Sequence, residues 1–164
     1  MDALEALRTR RSIRQFETRA VPREALETLV DAGRLAPTAM GKEPWEFVVV
    51  TDSAMRRQIA ALTDYGHFIA DAPACIVVFC RDVKYYLEDG CAAVENILIA
   101  ARALGLGSCW VAGDKKPYAR AVGDFLGAPK GMKLIALIAV GYPRGPVPTP
   151  RKRPLQEVIH WEHF

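Results

Sequence analysis

Arg10-Arg11-Ser12-Ile13-Arg14 puts three guanidinium groups and one hydroxyl within five residues. An arginine offers a planar fork of donors that matches the oxygens of a phosphate, and a serine hydroxyl adds another donor. A second basic cluster, Arg151-Lys152-Arg153, stands near the other end of the chain. The two clusters can meet on one phosphate only if the fold brings the chain ends together. Without such a meeting they read as solvated surface charges.

No other set of residues has the spacing of a self-sufficient catalytic centre. There is no Ser/His/Asp arrangement, no paired carboxylates and no metal-ligand cluster, so no catalytic residue and no metal are expected. No two of the cysteines Cys75, Cys80, Cys91 and Cys109 stand as Cys-x-x-Cys, and no histidine cluster accompanies them. All four have apolar neighbours and are expected as buried, reduced thiols, a redox-active pair being the alternative. Asp89, His67, Tyr65, Tyr85 and Tyr86 are the polar and aromatic candidates for a substrate pocket. Asp89 falls near the start of a long helix, where a carboxylate serves as a dipole partner or cap. His67 reads as structural or exposed, and His160 and His163 as surface residues.

These residues must be positioned by a fold that 164 residues, 51% of them hydrophobic, can build as one domain spanning 1–164. Net charge is +3, from 22 basic and 19 acidic residues, and mean hydropathy is +0.04. That balance argues against nucleic acid as a partner, so the arginines act locally rather than through a global field. The longest clean apolar run, Leu134 to Val140, is too short to span a bilayer. The first residues, Met-Asp-Ala-Leu-Glu, lack an apolar signal core. A cytoplasmic protein with no membrane partner is the expectation.

Leu4 and Leu7 define a short helix over 2–9, just before the arginines. Pro22 opens a second helix at its first helical position, and Pro37 bounds it. Residues 37–44 form a loop between two prolines, followed by a strand from Trp45 to Val50. Asp52 or Ser53 caps a helix to about Leu62, and 64–68 is irregular and aromatic. Ala74 to Cys80, apolar throughout, reads as a central strand. The longest helix, about 86–104, is apolar on nearly every side and belongs deep in the molecule or at a subunit interface. Strands at 108–111 and 134–140 and a weak helix at 117–126 complete the pattern, an α/β or α+β sandwich around a small sheet. Pro143, Pro146, Pro148, Pro150 and Pro154 make the tail an extended arm, and the apolar residues Leu155 to Phe164 are suited to docking.

Four stretches together resemble the nitroreductase family of FMN enzymes. Arg10 to Phe16 is similar to its opening motif. Ala36-Pro37-Thr38 with Pro44 to Val49 is similar to the second, and Asn96 through Trp110 to the third. Arg151 to Leu155 is similar to the closing motif. The resemblance implies an α+β nitroreductase-like fold, with a small mixed sheet flanked by helices and a C-terminal arm exchanged in a homodimer. It implies FMN as cofactor, with Arg10, Arg11, Ser12, Arg14, Arg151 and Arg153 on the phosphate and ribityl chain. It implies that Pro37, Thr38, Ala39 and Gly41 reach a flavin from the other subunit. Trp110, Val111, Ala112 and Gly113 then line the ring, with main-chain N–H groups bonding it and Gly113 allowing close approach.

The activity implied is ping-pong transfer of reducing equivalents from NAD(P)H to nitroaromatic, quinone or similar small-molecule acceptors. The chain departs from the family pattern in having Gly41 where Asn is frequent and Glu43 where Gln is frequent. Many relatives also carry Glu at the position of Ala112. A non-catalytic flavin-binding protein, or a specialised member performing reductive dehalogenation or flavin breakdown, is the alternative. A third reading, an anion-binding interaction module, is disfavoured by the near-neutral charge and the apolar long helix.

Overall fold

The structure, a computed structural model, describes every residue except Pro148 and Pro150. Helices are α1 (Ala3–Thr9), α2 (Arg23–Arg34), α3 (Ser53–Leu62), α4 (Tyr86–Ala103) and α5 (Ala119–Leu126). Strands are β1 (Trp45–Val50), β2 (Ala74–Cys80), β3 (Gly107–Ala112) and β4 (Lys133–Gly141). Short 3₁₀ turns occupy His67–Ala70 and Leu155–Glu157. The strand order is β1-β2-β4-β3, so β2 and β4 lie at the centre.

Local chemistry explains the boundaries. Asp2 caps α1 by accepting the Glu5 N–H at 3.0 Å, and Asp52 caps α3 by accepting the Met55 N–H at 2.8 Å. Gly127, in the left-handed region with φ 68°, closes α5. Pro22 stands one place earlier than its sequence suggests, as the N-cap of α2 rather than its first helical residue. The irregular aromatic segment acquires a 3₁₀ turn, because the Gly66 carbonyl accepts the Ile69 N–H.

Every residue of β2 is buried, and so is β4 after Lys133. Strand side chains alternate between faces, so an unbroken apolar run needs cover on both. Ile76, Val78 and Ile138 pack with α2 and α4, through Leu29 and Ile97. Cys75, Val77, Phe79 and Leu137 pack with α3 and α5, through Ile59 and Val122. The result is a three-layer α/β/α arrangement of α+β type.

The sheet departs from a mixed one in detail. All three strand pairings are antiparallel, and the parallel component is a single bridge between Ser12 and Ser108. That bridge lays the arginine-rich turn along the outer edge of β3, where the Ile13 N–H donates to the Ser108 carbonyl at 2.9 Å. Beyond it, Phe16 pairs with Pro143, and the Arg144 N–H donates to the Gln15 carbonyl at 3.0 Å. The start of the tail therefore runs back beside the opening motif. Pro148 and Pro150, counted in the extended arm, lie outside the described residues.

Candidate functional site

Arg10 ends α1, and its Nε lies 3.3 Å from Glu95 Oε1 on α4. Arg11 donates to the Arg8 carbonyl at 2.9 Å. Ser12 and Arg14 are exposed, because the Ser12–Ser108 bridge turns Ile13 inward. Gly107 makes this seat possible: a Cβ there would meet three Ile13 side-chain atoms at 2.9 Å.

Two open hollows meet at Arg14. One, of about 210 Å³, is lined by Ser12, Arg14 and Gln15 from the opening motif and by Pro143, Arg144 and Gly145 from the start of the tail. The other, of about 450 Å³, runs along the outer edge of β3 past Cys109, Trp110, Val111 and Ala112. Tyr65, Phe68, Lys116 and Tyr118 complete its wall. Arg14 itself sits 5.7 Å from the centre of the Phe68 ring. No Asp or Glu lines either hollow.

The ladder fixes which backbone groups face the larger hollow. In an antiparallel pair, alternate residues turn their N–H and C=O toward the partner strand. The Ser108 carbonyl points away from β4, to Ile13, whereas the Gly113 N–H points inward, to the Ile135 carbonyl at 3.0 Å. Trp110 and Ala112 therefore share the outward parity of Ser108. The Ala112 carbonyl is taken by the Tyr118 hydroxyl, which donates to it. The Gly113 N–H is committed to β4. The close approach that its missing side chain allows is also to β4, because a Cβ would stand 2.5 Å from Leu134 Cγ. The outward N–H groups of Trp110 and Ala112 remain as the ones aimed at the hollow.

The other expected residues fall into two places. Pro37, Thr38, Ala39 and Gly41 line neither hollow; they sit on the α4 side of the sheet, largely exposed. Asp89, only 4% exposed, accepts the Ala39 N–H at 2.9 Å. Arg81 donates to the carbonyls of Lys42 at 2.7 Å and Glu43 at 3.0 Å. Gly41 and Glu43 both have positive φ, 63° and 44°. Asp89 is thus a loop clasp as well as a first-turn acid of α4. Arg151 and Arg153 line neither hollow, and Arg153 donates to the Glu157 carbonyl at 2.6 Å.

Several residues at the site carry no sequence signal of their own. Arg144 lines the smaller hollow together with Arg14. Arg102, at the end of α4, donates to Thr9 Oγ at 2.9 Å and adds a cation behind the motif. Among the pocket candidates only Tyr65 reaches the larger hollow. His67 is exposed, and the Tyr86 hydroxyl instead donates to Asp114 at 3.0 Å, at a separate hollow of about 730 Å³. That carboxylate also holds the Tyr86 pKa above its ordinary value. Burial pushes the Cys75 and Cys80 thiols up to about 12, and all four cysteines are free. Among the described residues, no group of three His, Cys, Asp or Glu is placed to hold a metal ion.

Comparison with known proteins gives this geometry a context. A profile described as the nitroreductase family matches residues 7–74 and 61–142. A provisionally named NADH dehydrogenase/NAD(P)H nitroreductase of Archaeoglobus fulgidus is 35% identical over 87% of this chain and 86% of its own. The solved structure of an FMN-dependent nitroreductase of Clostridium difficile superposes with a TM-score of 0.91, at 27% identity, covering 98% of this chain and 99% of its own. An iodotyrosine deiodinase of Thermotoga neapolitana is 27% identical over 92% of this chain and 91% of its own.

Proposed function

From a chain that belongs to the nitroreductase family of oxidoreductases, we propose an enzyme that binds FMN along the β3 edge and passes electrons from NAD(P)H to nitroaromatic or quinone acceptors. The observation that carries this reading is the meeting of two hollows at Arg14, one bearing the Arg14 and Arg144 guanidinium groups and the Ser12 hydroxyl, the other walled by aromatics and backbone N–H groups. FMN has the same division, with a phosphate near a double negative charge at one end and a flat aromatic ring at the other. A Clostridium difficile relative of the same fold is FMN-dependent.

On this reading Arg10, Ser12, Arg14 and Arg144 hold the phosphate and ribityl chain through charge-assisted bonds. Arg11 of the opening motif and Arg151 and Arg153 of the C-terminal arm add charge from the flanks. Val111 packs beneath the ring, and the Trp110 and Ala112 N–H groups bond its edge. Bound FMN supplies hydride acceptance and donation, so the protein needs no nucleophile or metal of its own. The chain's part is to bind, orient and shield the ring, and to bring reductant and acceptor to it in turn, which gives ping-pong kinetics.

A homodimer completes the site. Leu155 and Val158 are exposed, Trp161 is 74% exposed and Phe164 wholly so, although such side chains are costly to leave in water. A groove of about 700 Å³ between α2 and the outer strand β1, lined by Val21, Leu26, Val30 and Val49 with charged residues of α2 at its side, offers a second copy's tail a place to dock. In the dimer the loop Pro37–Gly41 reaches the neighbouring flavin, with Asp89 holding its backbone. No helix among the described residues is long and apolar enough to cross a membrane. The free cysteines favour a reducing, cytoplasmic setting.

The test is direct. The purified protein carries FMN absorbance and consumes NADH or NADPH when a nitroaromatic or quinone is added. Flavin that stays bound without NAD(P)H turnover favours a non-catalytic carrier instead. The deiodinase relative supports a second reading, reductive dehalogenation, in which two electrons and a proton replace a carbon–halogen bond with carbon–hydrogen. Release of iodide from iodotyrosine under a chemical reductant, without turnover of nitroaromatics, selects it.

A further inference from the structure

Lys115 and Lys116 are neighbours in sequence with different surroundings. Lys115, with a left-handed φ of 60°, turns toward the hollow beside Asp114 and Tyr86. Lys116 lines the ring hollow at the β3 edge. Its ammonium lies 3.6 Å from Asp64 Oδ2 and 5.5 Å from the centre of the Tyr65 ring. Asp64 and Tyr65 belong to a built turn: buried Thr63 accepts the Gly66 N–H on its hydroxyl at 3.0 Å and donates that hydroxyl to the Ala60 carbonyl at 2.9 Å. The same segment supplies Phe68, against which Arg14 lies. One turn therefore holds both cations that line the hollow, and its carboxylate stays outside the lining.

We infer that Lys116 sets the reduction potential of the bound flavin, with Asp64 and Tyr65 as its positioning residues. This rests on the FMN reading above. A hydride from the dihydronicotinamide carries two electrons and one proton, so the oxidised ring leaves the step with one added negative charge. A fixed cation in a partly enclosed hollow stabilises that charge more than it stabilises the neutral oxidised ring. Arg14 shares this task at the seam with the phosphate hollow. Lys116 adds a second cation to the lining, and Asp64, 3.6 Å from its ammonium, offsets part of that charge from outside the lining. Removal of the Lys116 charge therefore disfavours the reduced form and lowers the potential.

The experiment measures the midpoint potential of FMN-loaded protein with an equilibrating reference dye, for the wild type and three variants. Lys116→Met is expected to weaken binding of reduced FMN relative to oxidised FMN by at least tenfold, which for a two-electron couple is a fall of about 30 mV. Lys116→Arg is expected to restore most of the wild-type value. Lys115→Met, which deletes the same charge outside the ring hollow, is expected to leave it close to wild type. If Lys116→Met proves unstable, Lys116→Gln at saturating FMN gives the same reading. A potential in Lys116→Met or Lys116→Gln equal to that of wild type, or a fall of equal size in Lys115→Met, overturns the inference while FMN binding stands. A wild-type protein that takes up no FMN overturns the functional reading, and this inference with it.

Discussion

Asp89, in the first turn of α4, accepts the Ala39 N–H at 2.9 Å across 50 positions of sequence. This one bond ties the exposed loop between Pro37 and Pro44 to the most buried helix of the molecule. A hydrogen bond to a charged group is worth about 1.5–3 kcal/mol net. Asp89→Ala is expected to cost about that much in urea unfolding and to speed tryptic cleavage after Lys42 well beyond the global loss. Asp89→Asn keeps an acceptor and is expected to cost less. Equal cleavage in all three proteins contradicts the clasp.

Gly107→Ala tests the seating of the arginine-rich turn. The added methyl would stand 2.9 Å from three atoms of the Ile13 side chain, and Ile13 is buried with backbone bonded to Ser108. Overpacking of this kind costs about 1–3 kcal/mol. The turn is expected to lift from β3, weakening FMN binding more than it lowers the unfolding midpoint. Titration with FMN beside a urea curve separates the two effects, and unchanged affinity contradicts the seat.

The buried thiols predict alkaline sensitivity of a particular sign. Burial moves the Cys75 pKa from 9.0 to about 12. Below pH 9 the thiol is protonated in both states and contributes no pH dependence. Between about 9 and 12 the unfolded chain gives up the proton while the native chain keeps it, so native stability falls as pH rises. Cys80 behaves in the same way. Cys75→Ala is expected to flatten the decline of the unfolding free energy over that range, whatever it costs near neutrality. A decline as steep as wild type contradicts the assignment.

The exposed tail predicts self-association. Replacing Leu155 and Trp161 together by Ser removes two of its largest exposed apolar groups. Sedimentation is expected to show a dimer for the wild type and a monomer with weakened FMN binding for the double variant. Equal association of the two proteins contradicts the role given to the arm.

Much of the fold was legible because its signals are local. Trp45–Val50 and Ala74–Cys80 appear with the bounds expected of them, since a short apolar or alternating run between turn residues leaves few other choices. The pairing directions were not legible. Strand signals carry no direction, so an all-antiparallel sheet and its single parallel bridge at Ser12 needed coordinates. The opening arginines were visible as chemistry because five consecutive residues carry the pattern. Arg144 and Lys116 were not, because each is one cation among 22 and gains its meaning from Arg14 and Asp64, residues distant in sequence. Gly113 is a related case. A glycine marks a close approach, and only the ladder shows that the approach is to Leu134 and Ile135 rather than to a ligand.

The central claim is that guanidinium groups at the β3 edge hold a flavin by its phosphate. Titration of the purified protein with FMN and, separately, with riboflavin tests it most directly, because the two differ only in that phosphate. Saturable binding of one FMN per chain is expected, weakened by salt, much tighter than riboflavin, and reduced toward the riboflavin level in Arg14→Ala/Arg144→Ala. Equal affinity for the two flavins, or full FMN retention by the double variant, contradicts the account.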